Sequence, residues 1–324
     1  MFVGIADSLR GEAAGPRLTI DDHGGRSADE VGETMTMNGE SALDELLSEI
    51  SELRPLPAVA ARAISLAESD QFSAHELAQA ISADQALSAK MLRLANSAYY
   101  GFPRRITTVR DAVILLGFRA VRSATLAACV IDTLPGNRKM DRYAFWQFSV
   151  TVGMLAEILA HATRHNDEEA FTAGVLHNIG RLALSQHRPE ELERARAMAA
   201  EQQVPLIEAE REIFGFTEAE LGGGMALVWN FPKELADAVA QHHFDPDDLP
   251  DRDSLASYVV RARMYARSAG VHDGMEPPVR GDPPQEWAST PLSGALEMRG
   301  GFAGVQERVN VFVNHALGPN NQAA

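Results

Sequence analysis

Apolar residues recur along most of this chain three and four positions apart, the spacing of one helix face, and no segment shows the period-two alternation of a half-buried strand. Leu43, Leu46, Leu47 and Ile50 form the first such face, behind a capping-box pattern at Ser41 and Asp44. Pro55 and Pro57 then end that helix or open the next. The same grammar repeats: Ser73 to Glu76 opens a helix carrying Leu77 and Ile81, and Asp84 caps one carrying Leu87, Met91 and Leu94. Thr108 to Asp111 opens another, which stops at Gly117. Further helices are predicted over 119–133, 144–163, 168–186, 190–213 with a break near Pro205, 217–230, 232–242 and 254–268. The predicted fold class is all-α, a multi-helix bundle with an N-terminal helical subdomain.

The stretches between these patterns divide the chain. Residues 1–40, rich in Gly, Asp, Glu, Ser and Thr without periodicity, are expected to form a flexible tail. The helical domain spans 41–268, and the change of register after Leu134-Pro135-Gly136 separates subdomains of about 41–135 and 140–268 whose helices can share one core. Residues 269–301, with Pro277-Pro278 and Pro283-Pro284, are predicted as a linker, and 302–324 as a short helix, near Phe302 to His315, and a tail.

Composition narrows the class. With 324 residues, 45% apolar and 23% charged, the chain can bury a full core, and its net charge of -16 repels a polyanion on average. Cys129 is the one cysteine and cannot form an internal disulfide; set among Leu126, Ala127, Ala128 and Val130, it reads as a small core residue in a reducing compartment. Met1 to Ile5 is too short for the apolar core of a signal peptide, and no apolar run reaches the roughly 18 residues of a membrane span. The expected location is the cytoplasm, away from membranes.

Candidate chemistry concentrates in four segments: Phe145-Trp146-Gln147-Phe148-Ser149, Gly174-Val175-Leu176-His177-Asn178-Ile179-Gly180, Gly215 to Gly222 around Glu218, and Gln241-His242-His243. With Leu56-Pro57 and Leu94-Ala95-Asn96-Ser97-Ala98-Tyr99-Tyr100-Gly101, they resemble the HDOD family, a regulatory branch of the HD-domain superfamily, over roughly residues 43 to 265. The resemblance implies an HD-like helical bundle. In its metal-binding relatives a His, a His-Asp pair, further His residues and a late Asp hold divalent ions that activate water against phosphate esters. Such a site needs imidazole nitrogens and carboxylate charge to compensate the cation and acidify its water.

Matched position by position, the resemblance implies that His177 is kept, that Asn178 replaces the pair's aspartate, Gln147 the first histidine and Glu218 the next one. His242 and His243 remain, while Arg263 puts a fixed cation where the late carboxylate is expected. Amide oxygens are neutral donors, so no metal, no cofactor and no catalysis are expected. Taken alone, His177 reads first as a core histidine satisfied by neighbours such as Asn178, and the His242-His243 pair as readily as a favourable charge at a helix C-terminus.

Three other patterns invite a ligand. Gly222-Gly223-Gly224 lacks the preceding strand and Lys-Ser/Thr partner of a phosphate loop, so close helix packing is expected. Asp245 to Asp253 has Pro250 and Ala256 where a calcium loop needs Gly and Glu, and is read as a solvated acidic loop. Lys90, Arg93, Arg104, Arg105 and Arg110, running on to Arg119 and Arg122 with Tyr99 and Tyr100 between, form a basic stretch, and residues 73–98 resemble a helix-turn-helix. Leu87, Met91 and Leu94 are expected to face a core, and overall charge argues against nucleic acid.

The resemblance thus implies a non-catalytic regulatory or scaffolding module of bacterial signal transduction that contacts other signalling proteins. A small ligand in a vestigial pocket of Gln147, His177, Asn178, Glu218, His242, His243 and Arg263 is part of that expectation. The competing readings are an HD-type metal-dependent phosphohydrolase and a nucleic-acid-binding regulator using Lys90 to Arg122.

Overall fold

The predicted punctuation is where the chain turns in the computed structural model, which describes residues 28–53, 56–65, 73–96, 104–134, 136–137, 140–277 and 281–317. The expectations for residues 1–27, Pro55, Ser97 to Gly101 and the last seven residues lie outside them. In chain order the helices are α1 (Ala28–Leu53), α2 (Ala58–Ser65), α3 (Ser73–Ser82), α4 (Gln85–Ala95), α5 (Val109–Leu116), α6 (Phe118–Thr133), α7 (Arg142–Ala162) and α8 (Asp167–Leu176). They continue as α9 (Ile179–His187), α10 (Pro189–Gln202), α11 (Leu206–Phe214), α12 (Glu218–Val228), α13 (Lys233–Ala240), α14 (Leu255–Ser268), α15 (Thr290–Glu297) and α16 (Gly301–Leu317). Among the described residues there is no β-strand, so the fold is all-α.

Local chemistry sets most boundaries. Asp84 accepts the Leu87 amide at 3.0 Å and Thr108 the Asp111 amide at 3.0 Å, each satisfying an orphan donor at a helix start. Gly117 ends α5 at φ 89°, a conformation that favours glycine. Thr217 and Glu220 close a capping box on α12. α3 and α4 form the pair that resembles a helix-turn-helix, but Leu87, Met91 and Leu94 are buried.

Burial joins both predicted subdomains in one core, from Leu46 on α1 through Leu126, Phe148 and Leu176 to Val313 on α16. α7 lies at its centre, against α8, α14 and α16. This 21-residue helix is long and apolar enough to cross a membrane, contrary to the reading of the sequence, and 78% of its most apolar stretch is buried among the other helices.

Two expectations are corrected. The first helix begins at Ala28, well before Ser41, so Ser41 and Asp44 lie inside it and cap nothing. Once the Leu43 to Ile50 face is docked, extension through good formers such as Glu30, Glu33, Met35 and Met37 adds one hydrogen bond per residue. Gly39 then meets Gly215 backbone to backbone; a Cβ on Gly39 would lie 2.4 Å from the Gly215 oxygen.

Of the segment 269–301, the described residues, 269–277 and 281–301, are packed and do not form a linker. Trp287 is buried against Tyr265, their ring centroids 4.5 Å apart, and Leu292, Ala295 and Asp273 are buried too. A few large anchors order a Pro/Gly-rich segment that composition alone reads as loose. α16 docks through Val305, Val309, Phe312 and Val313.

Candidate functional site

Backbone contacts between helices place the site. A Cβ on Gly174 would lie 2.5 Å from Gly153 Cα, so α7 and α8 touch where no side chain fits. The helix predicted over 168–186 breaks at His177 and Asn178, which turn the chain from α8 into α9. On α9, Gly180 packs on α12: its Cβ would meet the Glu218 oxygen at 1.8 Å. Gly222 and Gly223 let α13 approach, with their Cβ positions 2.9 Å from Val239 and 2.7 Å from Ala240, which is the helix packing expected of the triple glycine. His177, Glu218 and the His242-His243 pair after α13 are thereby brought together.

The histidines are held from behind. His177 Nδ1 lies 2.7 Å from the Gly174 oxygen, and His242 Nδ1 2.7 Å from the Val239 oxygen. Glu218 Oε1 sits 3.0 Å from both His242 Nε2 and His243 Nε2. The His177 and His242 rings meet edge to face at 4.9 Å, and His177 Nε2 is buried without a hydrogen-bond partner. Glu218, His242 and His243 present ligand atoms within 4.8 Å of one another.

Beside them lies a charged cluster that the sequence reading missed. Arg181, 1% exposed, extends from α9 with Nη2 3.3 Å from Glu210 Oε1 and 3.5 Å from Glu218 Oε1. Its Nη1 lies 3.2 Å from Asp273 Oδ2 and 2.9 Å from Glu276 Oε1. Asn178 Nδ2 donates to the same Asp273 oxygen at 3.1 Å. Arg263, from α14, approaches Glu276 at 3.9 Å, and Arg267 bonds it directly. A signal existed for Arg181 and Glu210, charged residues on otherwise apolar helix faces; none existed for Asp273 and Glu276, which come from the presumed linker.

Burial sets the electrostatics. It pushes the pKa of His177 well below the imidazole range, with His242 adding to the effect, and does the same to His243, where Arg263 adds most. For Glu218, burial is outweighed by His242 and Arg181, and the carboxyl is held well below its usual range. Burial also works against Arg181, but Glu210, Glu276, Glu218 and Asp273 overcome it and raise its pKa. Arg263 is less well compensated, and burial lowers it to about 10.

Glu210 titrates in the opposite sense to Glu218: burial pushes it up to about 7 despite Arg181. A raised folded value means the associated stability is complete below about 4.5 and is lost as pH rises through about 7. Glu210→Gln removes that loss. Urea unfolding at about pH 5 and about pH 8 is expected to show the variant gaining on the parent by on the order of 3 kcal/mol between them. An unchanged pH slope would show that Glu210 stays ionised.

Of the residues expected in the pocket, His177, Asn178, Glu218, His242 and His243 converge and Arg263 borders them through Glu276. Gln147 does not join them: its Nε2 donates to Asn310 Oδ1 of α16 at 2.9 Å, with Tyr143 on the same acceptor. The neighbouring side chains bond to one another across the site, unlike an open vestigial pocket. In the basic stretch, Lys90 is 2.6 Å from Asp132, Arg122 is buried, and Arg93, Arg104, Arg105 and Arg110 are exposed.

With this geometry the chain can be set beside known proteins. An HDOD domain protein of unknown function from Geobacter sulfurreducens superposes with a TM-score of 0.71 at 23% identity, over 86% of this chain and 98% of that one. A Shewanella amazonensis protein provisionally named a phosphohydrolase gives 0.64 at 25%, over 84% and 97%. A Marinobacter aquaeolei protein provisionally named a signal transduction protein gives 0.66 at 21%, over 87% and 66%. An uncharacterized protein of Treponema pallidum (strain Nichols) is 26% identical over 223 residues, 67% of this chain and 43% of that protein, so this chain spans less than half of that relative's length. Residues 53–244 match the HDOD domain, a span that holds His177, Asn178, Arg181, Glu210, Glu218, His242 and His243 and stops short of Arg263, Asp273 and Glu276. This chain is a member of the HDOD domain family.

Proposed function

We propose that this protein is a non-catalytic regulatory or scaffolding module that works in the cytoplasm through contacts with other signalling proteins. The observation that carries the reading is the charge balance at the site. Three guanidiniums, of Arg181, Arg263 and Arg267, stand among the carboxylates of Glu218, Asp273 and Glu276, with Glu210 at about 7. A divalent ion added there brings two buried positive charges with no carboxylate left to compensate them.

The donor set was tested against the metal that HD-type chemistry requires. In favour stand the free His177 Nε2, on a ring 4.9 Å from that of His242, and the grouped ligand atoms of His242, His243 and Glu218. Against it stand Asn178, which donates its amide to Asp273, Gln147, which is committed to Asn310, and Arg181, 3.5 Å from the one ligating carboxylate. The balance does not fit a hydrolytic ion, and no reaction step is derived through one.

Two measurements test this. Protein purified without an affinity tag is expected to hold less than about 0.1 equivalent of any divalent ion, against one or two for a working site. Phosphodiesterase and nucleotidase assays with added Mn²⁺ or Mg²⁺ are expected to stay at the uncatalysed rate. A stoichiometric ion together with chelator-sensitive hydrolysis sinks the proposal.

A further inference from the structure

Arg181 from α9 and Arg263 and Arg267 from α14 converge on one side chain, Glu276, which lies beyond residues 53–244 that match the HDOD domain. Arg181 is also faced by Glu210 and Glu218, but Arg263 and Arg267 meet the single negative charge of Glu276. Asp273 adds a second, and Asp273 Oδ2 and Glu276 Oε1 share the Arg181 Nη1 at 3.2 and 2.9 Å. Several guanidiniums gathered around one anionic group is an arrangement that also suits a phosphate, which a guanidinium can hold through two parallel N–H···O bonds.

Both carboxylates come from one short turn. Asp273 Oδ1 accepts the amides of Met275 at 2.9 Å and Glu276 at 3.1 Å, which makes the turn a unit. Gly270 at φ 82° and Gly274 at φ 79° supply left-handed positions at its base and within it. On its outer side runs a groove of about 690 Å³, lined in part by Met140, Asp141, Leu192, Arg196, Gly274 and Met275, so the turn has space to shift into. Within that groove Arg196 Nε donates to the Met275 oxygen at 3.2 Å.

We propose that residues 271–276 are a built-in competitor for an anion site made by Arg181, Arg263 and Arg267, and that the ligand is a phosphate-bearing small molecule whose oxygens replace the carboxylates of Asp273 and Glu276. This rests on the regulatory reading of the site. A phosphate group brings up to two charges and three acceptors to the side of the cluster that now meets the two monoanions Asp273 and Glu276. Ligand binding releases the turn, and the turn leads into the segment that seats Trp287 against Tyr265. Occupancy of the site is thereby transmitted to the surface formed by 281–301.

Calorimetric titration of the full chain with inorganic pyrophosphate tests the competition. A site that is closed most of the time shows an affinity reduced by its open fraction. With the turn open about a tenth of the time or less, Asp273→Asn combined with Glu276→Gln is expected to tighten pyrophosphate binding about tenfold or more. Adding Arg263→Gln and Arg267→Gln to that variant is expected to return binding to the parent level or below. Hydrogen exchange on the unmodified protein gives a second readout that needs no variant to fold: the amides of Met275 and Glu276 are expected to exchange faster when pyrophosphate is bound.

No tightening in the carboxylate variant, tightening that survives loss of both arginines, or slower exchange at Met275 and Glu276 overturns the proposal. Chelator-sensitive hydrolysis would end the regulatory reading while leaving the competition result standing. An absence of competition would leave the non-catalytic reading standing.

Discussion

Arg181→Met is expected to lower the unfolding free energy by about 3–5 kcal/mol near neutral pH, the usual loss when one partner of a buried ionic cluster is removed. The side chain is 1% exposed, and Glu210 and Glu218, its partners at 3.3 and 3.5 Å, are fully buried. Removing the guanidinium leaves these carboxylates, with Asp273 and Glu276, repelling one another where water cannot screen them. The loss therefore depends on pH. Glu218 and Glu276 are held ionised in the folded protein, well below the usual carboxylate range, and Arg181 is a principal cause for both. Stability from such depressed groups is present above about 4.5 and is lost as pH falls through their folded values.

Without Arg181, burial is left to push these carboxyls up, as it already does Glu210, and a raised group loses stability as pH rises, so the deficit against the parent is expected to be larger at about pH 8 than at about pH 5. Urea unfolding of both proteins at the two pH values checks it. A deficit below about 1 kcal/mol at the higher pH would mean that solvent reaches the cluster and screens it.

Gly180→Ala is expected to cost at least about 3 kcal/mol, beyond the usual range for an overpacked core, or to prevent folding. The added methyl would stand 1.8 Å from the Glu218 oxygen and 2.7 Å from the Gly222 nitrogen. Both are backbone atoms inside or at the start of α12, so no rotamer change relieves the clash and α9 must move from α12. That movement separates Arg181 from Glu218, so loss of the cluster accompanies loss of stability. Gly294→Ala on α15 is the control: its Cβ meets nothing within 4 Å, and the helix is expected to gain about 0.5–1 kcal/mol. Thermal unfolding of the two variants separates close approach from helix propensity; equal midpoints would contradict the assigned contact.

The residues of the site divide by how far their information extends. Asp84, Thr108, Gly117 and Thr217 set helix ends through bonds to residues at most four positions away, so boundaries near them were legible. The His177, Glu218 and His242-His243 segments were legible as motifs, because each lies in a short run with a recognisable pattern. Asp273 and Glu276 reach Arg181 across 92 and 95 positions, and no local pattern marks that pairing. Gln147 was misplaced for the same reason, since its partner Asn310 is 163 positions away.

By itself the sequence determined the helices, the faces they bury and the family's set of chemical groups, since periodicity, caps and glycines act within a turn or two of the chain. Only the tertiary structure decided what the chemical groups do. Asp273 and Glu276 enter from a segment that composition marks as loose, and α16 takes Gln147 out of the site. A buried charge is governed by everything within a few ångströms of it, whatever the distance along the chain.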